Sequence, residues 1–105
     1  MIHEGNEQIV LLTVIAGRKQ KDALLTALLK LGICLTNTVY GKGAVRVSGV
    51  KYVLGLIPEE NKVLITCVST SDKAGAALRM LAEEFHFDKP NTGIAFIVNI
   101  DHIEY

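Results

Sequence analysis

The feature that most constrains the fold is an uninterrupted apolar run, "QIVLLTVIA" at residues 8–16. Alternate residues of an extended strand point to opposite faces of its sheet. Both sets are apolar in this run: Ile9, Leu11 and Ile15 against Val10, Leu12 and Val14. An antiparallel sheet with one wet face instead alternates apolar with polar residues. The run therefore predicts a strand that is covered on both faces.

Two amphipathic helices are predicted from apolar residues spaced three and four apart. The first covers residues 18–31 and ends before Gly32, because glycine readily adopts the left-handed turn of a helix C-terminus. The second begins at Ser71, the predicted N-cap, and ends near His86. Their buried stripes are Leu24, Ala27, Leu28 and Leu31 in the first, and Ala74, Ala77, Leu78, Leu81 and Phe85 in the second.

Extended segments occupy most of the remaining chain. Strands are predicted at 33–43, 62–69 and 93–100, with a further extended run at 47–57 before a turn at Pro58. This order predicts one α+β domain over residues 1–105 with the ferredoxin-like βαββαβ arrangement. In that arrangement both helices pack on one face of a four-stranded antiparallel sheet.

The second face of this predicted sheet needs a cover, because two helices cover only one. The last strand is also apolar on both faces, since Ile94, Phe96 and Val98 alternate with Ala95 and Ile97. Large exposed apolar patches mark association surfaces. Other copies of the same chain are the simplest cover, so the sequence predicts a homo-oligomer.

Composition excludes several partners. Half of the 105 residues are hydrophobic, and eleven basic residues balance eleven acidic ones. No net charge attracts nucleic acid or an anionic membrane, and no apolar run approaches the roughly 20 residues of a membrane span. The start lacks the pattern of a signal peptide. We therefore expect a cytoplasmic protein that binds no nucleic acid, does not insert into membranes and keeps its cysteines reduced.

No catalytic or metal-binding set stands out. His3, His86 and His102 are far apart in sequence, whereas a structural zinc site needs about four close ligands. Cys34 and Cys67 have no basic neighbour that would activate a thiolate, and a disulfide between them is the alternative to two free thiols. The sequence predicts no enzyme and no metal site. The stretches "HFD" (86–88) and "HIE" (102–104) leave a metal-binding alternative open.

Three stretches have features of anion or partner binding. The start of the first helix carries three cations, Arg18, Lys19 and Lys21, which are unfavourable beside the positive end of the helix dipole. They indicate either a solvated surface or an anion bound at the free N–H groups of the helix start. Residues 36–52 form either a plain hairpin or a basic loop that closes on a ligand or partner. Residues 91–93 form either a turn or a nest of backbone N–H groups. The candidate residues of the last two stretches are Gly41, Lys42, Gly43, Arg46, Lys51, Tyr52, Asn91, Thr92 and Gly93.

The order of these stretches resembles the PII family of nitrogen-regulatory signal-transduction proteins over nearly the whole chain. "LGICLTNTVYGKG" (31–43) resembles the family's first crossover and second strand. "SGVKYVLGLIP" (48–58) resembles the return of the T-loop, the long loop that contacts partner proteins. "KVLITCVS" (62–69) is similar to the third strand, and "NTGIAFIVNID" (91–101) to the glycine-containing B-loop and fourth strand.

This resemblance implies a homotrimeric regulator with effector clefts between subunits, usually for an adenine nucleotide such as ATP, ADP or AMP. Its T-loop would contact a target enzyme or transporter. Thr36 matches the threonine at the adenine pocket, and Gly93 matches a B-loop glycine whose backbone approaches the phosphates. Tyr52 falls near a T-loop tyrosine that some members modify.

The chain departs from the family pattern at charged and polar positions. The T-loop region is shorter and lacks the glutamine that helps hold magnesium and 2-oxoglutarate. Ile94 stands where the family has a phosphate-binding lysine, and the tail "DHIEY" lacks two arginines. Without these charge-assisted contacts, we expect a less charged ligand or one bound by backbone N–H groups. The candidate replacement cations are Lys89, Arg18, Lys42 and Arg46.

Two other classes of protein remain as alternatives. A CutA-type trimeric, metal-responsive protein shares the fold and would bind metal through the histidines or cysteines. A small ferredoxin-like enzyme is the third class.

Overall fold

A computed structural model describes residues 8–34, 36–43, 60–89 and 92–102. Its elements are, in chain order, β1 (Ile9–Gly17), a 3-10 turn (Arg18–Gln20), α1 (Lys21–Lys30), β2 (Thr36–Gly43), β3 (Glu60–Thr70), α2 (Ser71–Glu84) and β4 (Gly93–Asn99). This is the predicted βαββαβ order. The extended run predicted at 47–57 lies outside the described residues.

The four strands form one antiparallel sheet in the order β2–β3–β1–β4. β1 is a central strand and pairs with β3 on one side and with β4 on the other. β2 and β4 form the two edges of the sheet. The predicted α+β class and ferredoxin-like arrangement are confirmed.

The hydrophobic core lies between the sheet and the two helices. On β1 this face of the sheet carries Val10, Leu12, Val14 and Ala16, each at most 1 % exposed. The helices contribute fully buried side chains to the same cluster: Leu24, Leu28, Ala74, Ala77 and Leu81. Full burial of one valine or leucine stabilises the folded chain by about 1.5–3 kcal/mol. The packing of these side chains therefore holds both helices on one face of the sheet.

The opposite face of the sheet, which we call the open face, is also apolar. Residues that pair directly across antiparallel strands point to the same face, and the register places nine apolar side chains of the described residues on this one. They are Ile9, Leu11, Ile15, Val39, Leu64, Val68, Ile94, Phe96 and Val98. Val39, Phe96 and Val98 are 49 %, 45 % and 47 % exposed. The predicted second apolar face is confirmed.

The N-cap of α2 lies one residue earlier than predicted. Thr70 is still extended, with φ −81° and ψ 158°, and its hydroxyl oxygen accepts a hydrogen bond from the Lys73 backbone N–H at 3.5 Å. Ser71, the predicted N-cap, is the first helical residue. The predicted helix start at residue 18 is also wrong, because Arg18–Gln20 form a tighter 3-10 turn before α1.

The end of α1 agrees with the prediction and is tied to α2. Gly32 follows the helix with φ +82°, the left-handed conformation expected of a glycine there. The Lys73 ammonium donates a hydrogen bond to the Gly32 carbonyl oxygen at 3.3 Å. A single lysine in the first turn of α2 thus contacts the chain where α1 ends.

α2 ends at Glu84 and is followed by a left-handed histidine. His86 has φ 60°, the only positive value among the described non-glycine residues. The backbone N–H groups of Phe85 and Phe87 both donate to the Leu81 carbonyl oxygen, at 3.2 and 3.0 Å. These bonds hold the turn around His86, although a left-handed backbone costs a non-glycine residue about 1–2 kcal/mol.

Replacing His86 with glycine should therefore stabilise the protein. The larger backbone entropy of glycine in the unfolded chain costs about 0.5–1 kcal/mol, which leaves a net gain of up to about 1.5 kcal/mol. His86→Val should instead lower stability by at least about 1 kcal/mol, because β-branched residues fit this φ poorly. Urea denaturation measures both changes. Equal stability of the three proteins would contradict the left-handed conformation of His86.

Candidate functional site

Several predicted ligand residues lie at one end of the sheet, but on its opposite edges. Gly41 of β2 pairs with Lys62 of β3, and Lys62 pairs with Gly17 of β1. On the other side of β1, Ala16 pairs with Gly93 of β4. Neighbouring strands are about 4.8 Å apart, so three spacings separate Gly41 from Gly93 by about 14 Å. One chain therefore holds these two glycines at the same end but does not bring them into contact.

Thr36 lies at the other end of the same edge strand. It pairs with Cys67, whereas Gly41 pairs with Lys62. Five residues of extended chain separate Thr36 from Gly41 by about 17 Å. The backbone N–H of Thr36 donates to the Cys34 carbonyl oxygen at 3.2 Å. Within one chain, Thr36 does not converge with the two glycines.

Gly93 is packed against an aromatic ring. Its partner Ala16 points to the helices, so a side chain on Gly93 would point to the same layer. A Cβ there would lie 2.7 Å from Cε1 of Phe87, closer than real Cβ contacts come. Phe87 in turn contacts Phe85 edge to face, with ring centroids 6.5 Å apart. The Phe87 ring thus explains why glycine occupies this position.

The segment before β4 is closed by the Thr92 hydroxyl. This oxygen lies 2.7 Å from the His86 carbonyl oxygen and 2.8 Å from that of Lys89, and its one proton is shared between these two acceptors. The Lys89 backbone N–H also donates to the His86 carbonyl at 2.9 Å. The hydroxyl proton of Thr92 is therefore engaged within the turn, while the side chain of Lys89 is exposed.

Tyr40, near the end of β2, is held by Arg18. The guanidinium carbon of Arg18 lies 4.8 Å from the centroid of the Tyr40 ring, a cation–π distance. The same guanidinium lies 3.5 Å from the Gly41 carbonyl oxygen, a long and exposed hydrogen bond. The residue pattern before α1 predicted a cationic surface but gave no indication of this aromatic partner.

Lys21 approaches the same tyrosine. Its ammonium lies 5.7 Å from the Tyr40 ring centroid and 3.3 Å from the Asp22 carboxylate. Hydrogen bonds to Tyr40 and to Asp22, together with the negative charge of Asp22, raise the pKa of Lys21 above its usual value. The structure therefore brings Arg18 and Lys21 of the predicted cationic turn together on one ring; we call Arg18, Lys21 and Tyr40 the tyrosine cluster.

The cysteines are free thiols in different environments. Cys67 is 1 % exposed in the core, and this burial raises its pKa to about 11, so the thiolate form is disfavoured at neutral pH. Cys34 is exposed. Among the described residues, no three histidine, cysteine or acidic side chains are placed to hold a metal ion. His3 lies outside the described residues, so the predicted absence of a metal site stays a prediction.

Four of the candidate residues lie outside the described residues: Arg46, Lys51, Tyr52 and Asn91. For Lys42 and Gly43 only the backbone is described; they pair with Asn61 and Glu60 at the end of β2. Their assignment to ligand or partner binding remains a prediction from the sequence.

Two grooves within the chain lie away from these residues. One, of about 480 Å³, lies between α1 and α2 and is lined by Ala27, Lys30, Met80 and other residues of these helices. The other, of about 310 Å³, lies beside Cys34. Neither is lined by a predicted ligand residue. No helix of the described residues is long and apolar enough to cross a membrane.

The fold is similar to that of PII-like proteins. CPII from Thiomonas intermedia K12, a nitrogen regulatory PII-like protein solved with ADP, AMP and acetate, matches with a TM-score of 0.69 and 15 % identity over 88 % of this chain and 85 % of its own. A candidate PII-like signalling protein from Thermus thermophilus matches with a TM-score of 0.66 and 19 % identity, over 88 % of this chain and 86 % of its own. A DUF3240 family protein from Shewanella baltica matches with a TM-score of 0.67 and 18 % identity, over 93 % of this chain and 96 % of its own.

Sequence comparisons add nothing to these structural matches. No protein-family model matches the chain, and no curated protein matches it significantly. At these low identities the structural matches establish the fold: the chain has the fold of PII-like signalling proteins, as the sequence resemblance predicted.

The contact between Gly93 and Phe87 predicts a specific coupling. Gly93→Ala should destabilise the protein by about 1–3 kcal/mol, because the new methyl group overpacks the ring. In a Phe87→Leu background the same substitution should cost at least about 1 kcal/mol less, since the ring is gone. Denaturant unfolding of the four proteins gives this double-mutant cycle. Additive effects would show that the ring does not restrict Gly93.

Proposed function

We propose that the chain is a non-enzymatic, PII-like regulator that binds a small effector between subunits and controls a partner protein. The observation that carries this proposal is the match to CPII over 88 % of the chain, because that structure was solved with ADP and AMP. The proposed effector is an adenine nucleotide. The proposed compartment is the cytoplasm, where such a regulator meets nucleotides.

The open face supports an assembly of several chains. Nine apolar side chains of the described residues lie on it, and three of them are nearly half exposed in a single chain. An exposed apolar face of this kind favours association with further copies. We propose a homotrimer in which the open faces pack toward one another.

The placement of the candidate residues supports a cleft between chains. Gly41 and Gly93 lie on opposite edges of one sheet, about 14 Å apart by strand spacing. In a closed ring of chains each contact joins two different surfaces of neighbouring subunits, and we propose that the β2 edge of one subunit lies beside the β4 edge of the next. The proposed effector site combines the Thr36, Gly41, Lys42 and Gly43 strand of one chain with the Lys89, Asn91, Thr92 and Gly93 segment of the next.

The loop after β2 is the proposed output. It follows directly from Gly43 and carries Arg46, Lys51 and Tyr52. A ligand that binds at the base of such a loop shifts the loop toward the conformations for which the ligand has the higher affinity. We propose that this bias changes contact with a target enzyme or transporter.

Isothermal titration calorimetry with ATP, ADP, AMP and cyclic AMP tests the effector proposal. Binding of at least one nucleotide is expected, with a stoichiometry of one per chain. AMP or ADP should bind at least as well as ATP, because Ile94 offers no charge to additional phosphates. Absence of binding by all four nucleotides, in a folded oligomer, would contradict the nucleotide proposal. Binding of copper or zinc alone would favour the CutA-type alternative.

Substitution of Val98 with glutamate tests the assembly. Burial of an unpaired carboxylate in an interface costs several kcal/mol, so self-association should weaken by at least about 100-fold. Leu29→Glu is the matched control, because Leu29 is 60 % exposed and belongs to α1 on the other side of the sheet. Sedimentation equilibrium should give monomer for Val98→Glu and the native assembly for Leu29→Glu. Dissociation by both variants, or by neither, would contradict association through the open face.

A further inference from the structure

The tyrosine cluster has no role in the function proposed above. Arg18 and Lys21 converge on Tyr40 at the end of β2, where the side chain of Tyr40 is 50 % exposed. A cation that stacks on an aromatic face uses the flat side of its guanidinium group, which leaves the N–H groups at the edge free to bind an oxyanion. The hydrogen bond from Arg18 to the Gly41 carbonyl oxygen, at 3.5 Å, engages only one of five such donors.

The charges around the cluster are unbalanced. Two cations lie within 6 Å of one ring centroid, and Asp22 is the carboxylate that pairs with one of them. Asp22 is itself 91 % exposed, so it is well solvated and screened. Lys19 adds a third positive charge to the same turn, and this turn has no acidic residue. The cluster therefore carries a net positive charge, with its donors gathered around one ring.

Donor types in the cluster fit a phosphate group. Arg18 offers a planar pair of N–H donors, Lys21 a point charge, and Tyr40 a hydroxyl. A phosphate monoester carries about 1.5–2 negative charges and three acceptor oxygens, whereas a carboxylate has one charge and two oxygens. Because the tyrosine ring already orients the two cations, less side-chain entropy is lost on binding. Neutralising both cations requires a group with nearly two charges.

We propose that Arg18, Lys21 and the Tyr40 hydroxyl bind a phosphate group. The site lies beside Gly41, so a phosphate bound there contacts the strand from which the loop after β2 begins. The phosphate belongs either to a nucleotide in the proposed cleft or to a free phosphate ion. The chemistry of recognition is the same for both sources, and the site does not depend on nucleotide binding.

Arg18→Gln is the test variant, and Arg79→Gln is its matched control because Arg79 is an exposed arginine on α2. Each protein is titrated with inorganic phosphate, AMP and adenosine at constant ionic strength. Calorimetry measures affinity, and tyrosine fluorescence reports on the cluster, since the chain has three tyrosines and no tryptophan. Tyr40→Phe is a further variant that keeps the ring for the cations and removes only the hydroxyl.

We expect the wild-type protein to bind inorganic phosphate, AMP or both, with a change in tyrosine fluorescence that Tyr40→Phe alters. Arg18→Gln should lower the affinity for phosphate groups about tenfold or more, the value of one hydrogen bond to a charged group. Arg79→Gln should change it less than twofold, and neither variant should alter binding of adenosine. Phosphate binding without AMP binding would identify a free phosphate site.

Three results would overturn the proposal. The first is the absence of binding to both inorganic phosphate and AMP by the wild-type protein. The second is an equal loss of phosphate affinity in Arg18→Gln and Arg79→Gln, which would indicate only a general charge effect. The third separates this proposal from the nucleotide proposal. If adenosine and AMP bind equally well, and Arg18→Gln changes neither, the nucleotide proposal survives while the phosphate site fails.

Discussion

The apolar character of β1 on both of its faces is the constraint on which the rest of the structure depends. Val10 and its alternate neighbours are sealed beneath the helices, whereas Leu11 and Ile15 face the other way beside Leu64 and Ile94. The two helices cover one face of the sheet, so in a single chain the other face is apolar and accessible. The sheet edges and the chain ends beside them remain for the proposed ligands and partners. Folding and the proposed assembly therefore both follow from the same strand.

There are two separate explanations for a glycine at position 93. The family resemblance assigns it to a loop whose backbone approaches phosphates, and the packing of Phe87 requires a glycine at the same place. The two explanations concern different sides of the residue, because the ring occupies only the side toward the helices. A substitution there alters the core even if no ligand binds, so loss of ligand binding alone does not establish a contact with ligand.

Local sequence patterns predicted the helices and strands, but they did not predict the tertiary contacts. The stripe Leu24–Leu28 and the left-handed Gly32 follow from spacing and from glycine chemistry within a few residues. The N-cap of α2 was predicted one residue late, because Thr70 and Ser71 carry equivalent hydroxyls and only the backbone conformation distinguishes them. The contact of Arg18 with Tyr40 joins distant parts of the chain, and Phe87 reaches Gly93 across a turn. Neither contact can be recognised from the spacing of residues along the sequence. The cationic residues Arg18 and Lys21 were therefore predicted without their aromatic partner, Tyr40.

The separation of Gly41 and Gly93 on opposite edges of the sheet has a genetic consequence. In an assembly of the proposed kind, each cleft takes one edge from each of two chains. A chain damaged only at the β2 edge still presents an intact β4 edge, and a chain damaged at β4 presents an intact β2 edge. Mixed assemblies of two such chains contain some clefts in which both contributing edges are undamaged. If the cleft is shared in this way, two inactive alleles of one gene complement each other, whereas mixing chains rebuilds no site that lies within a single chain.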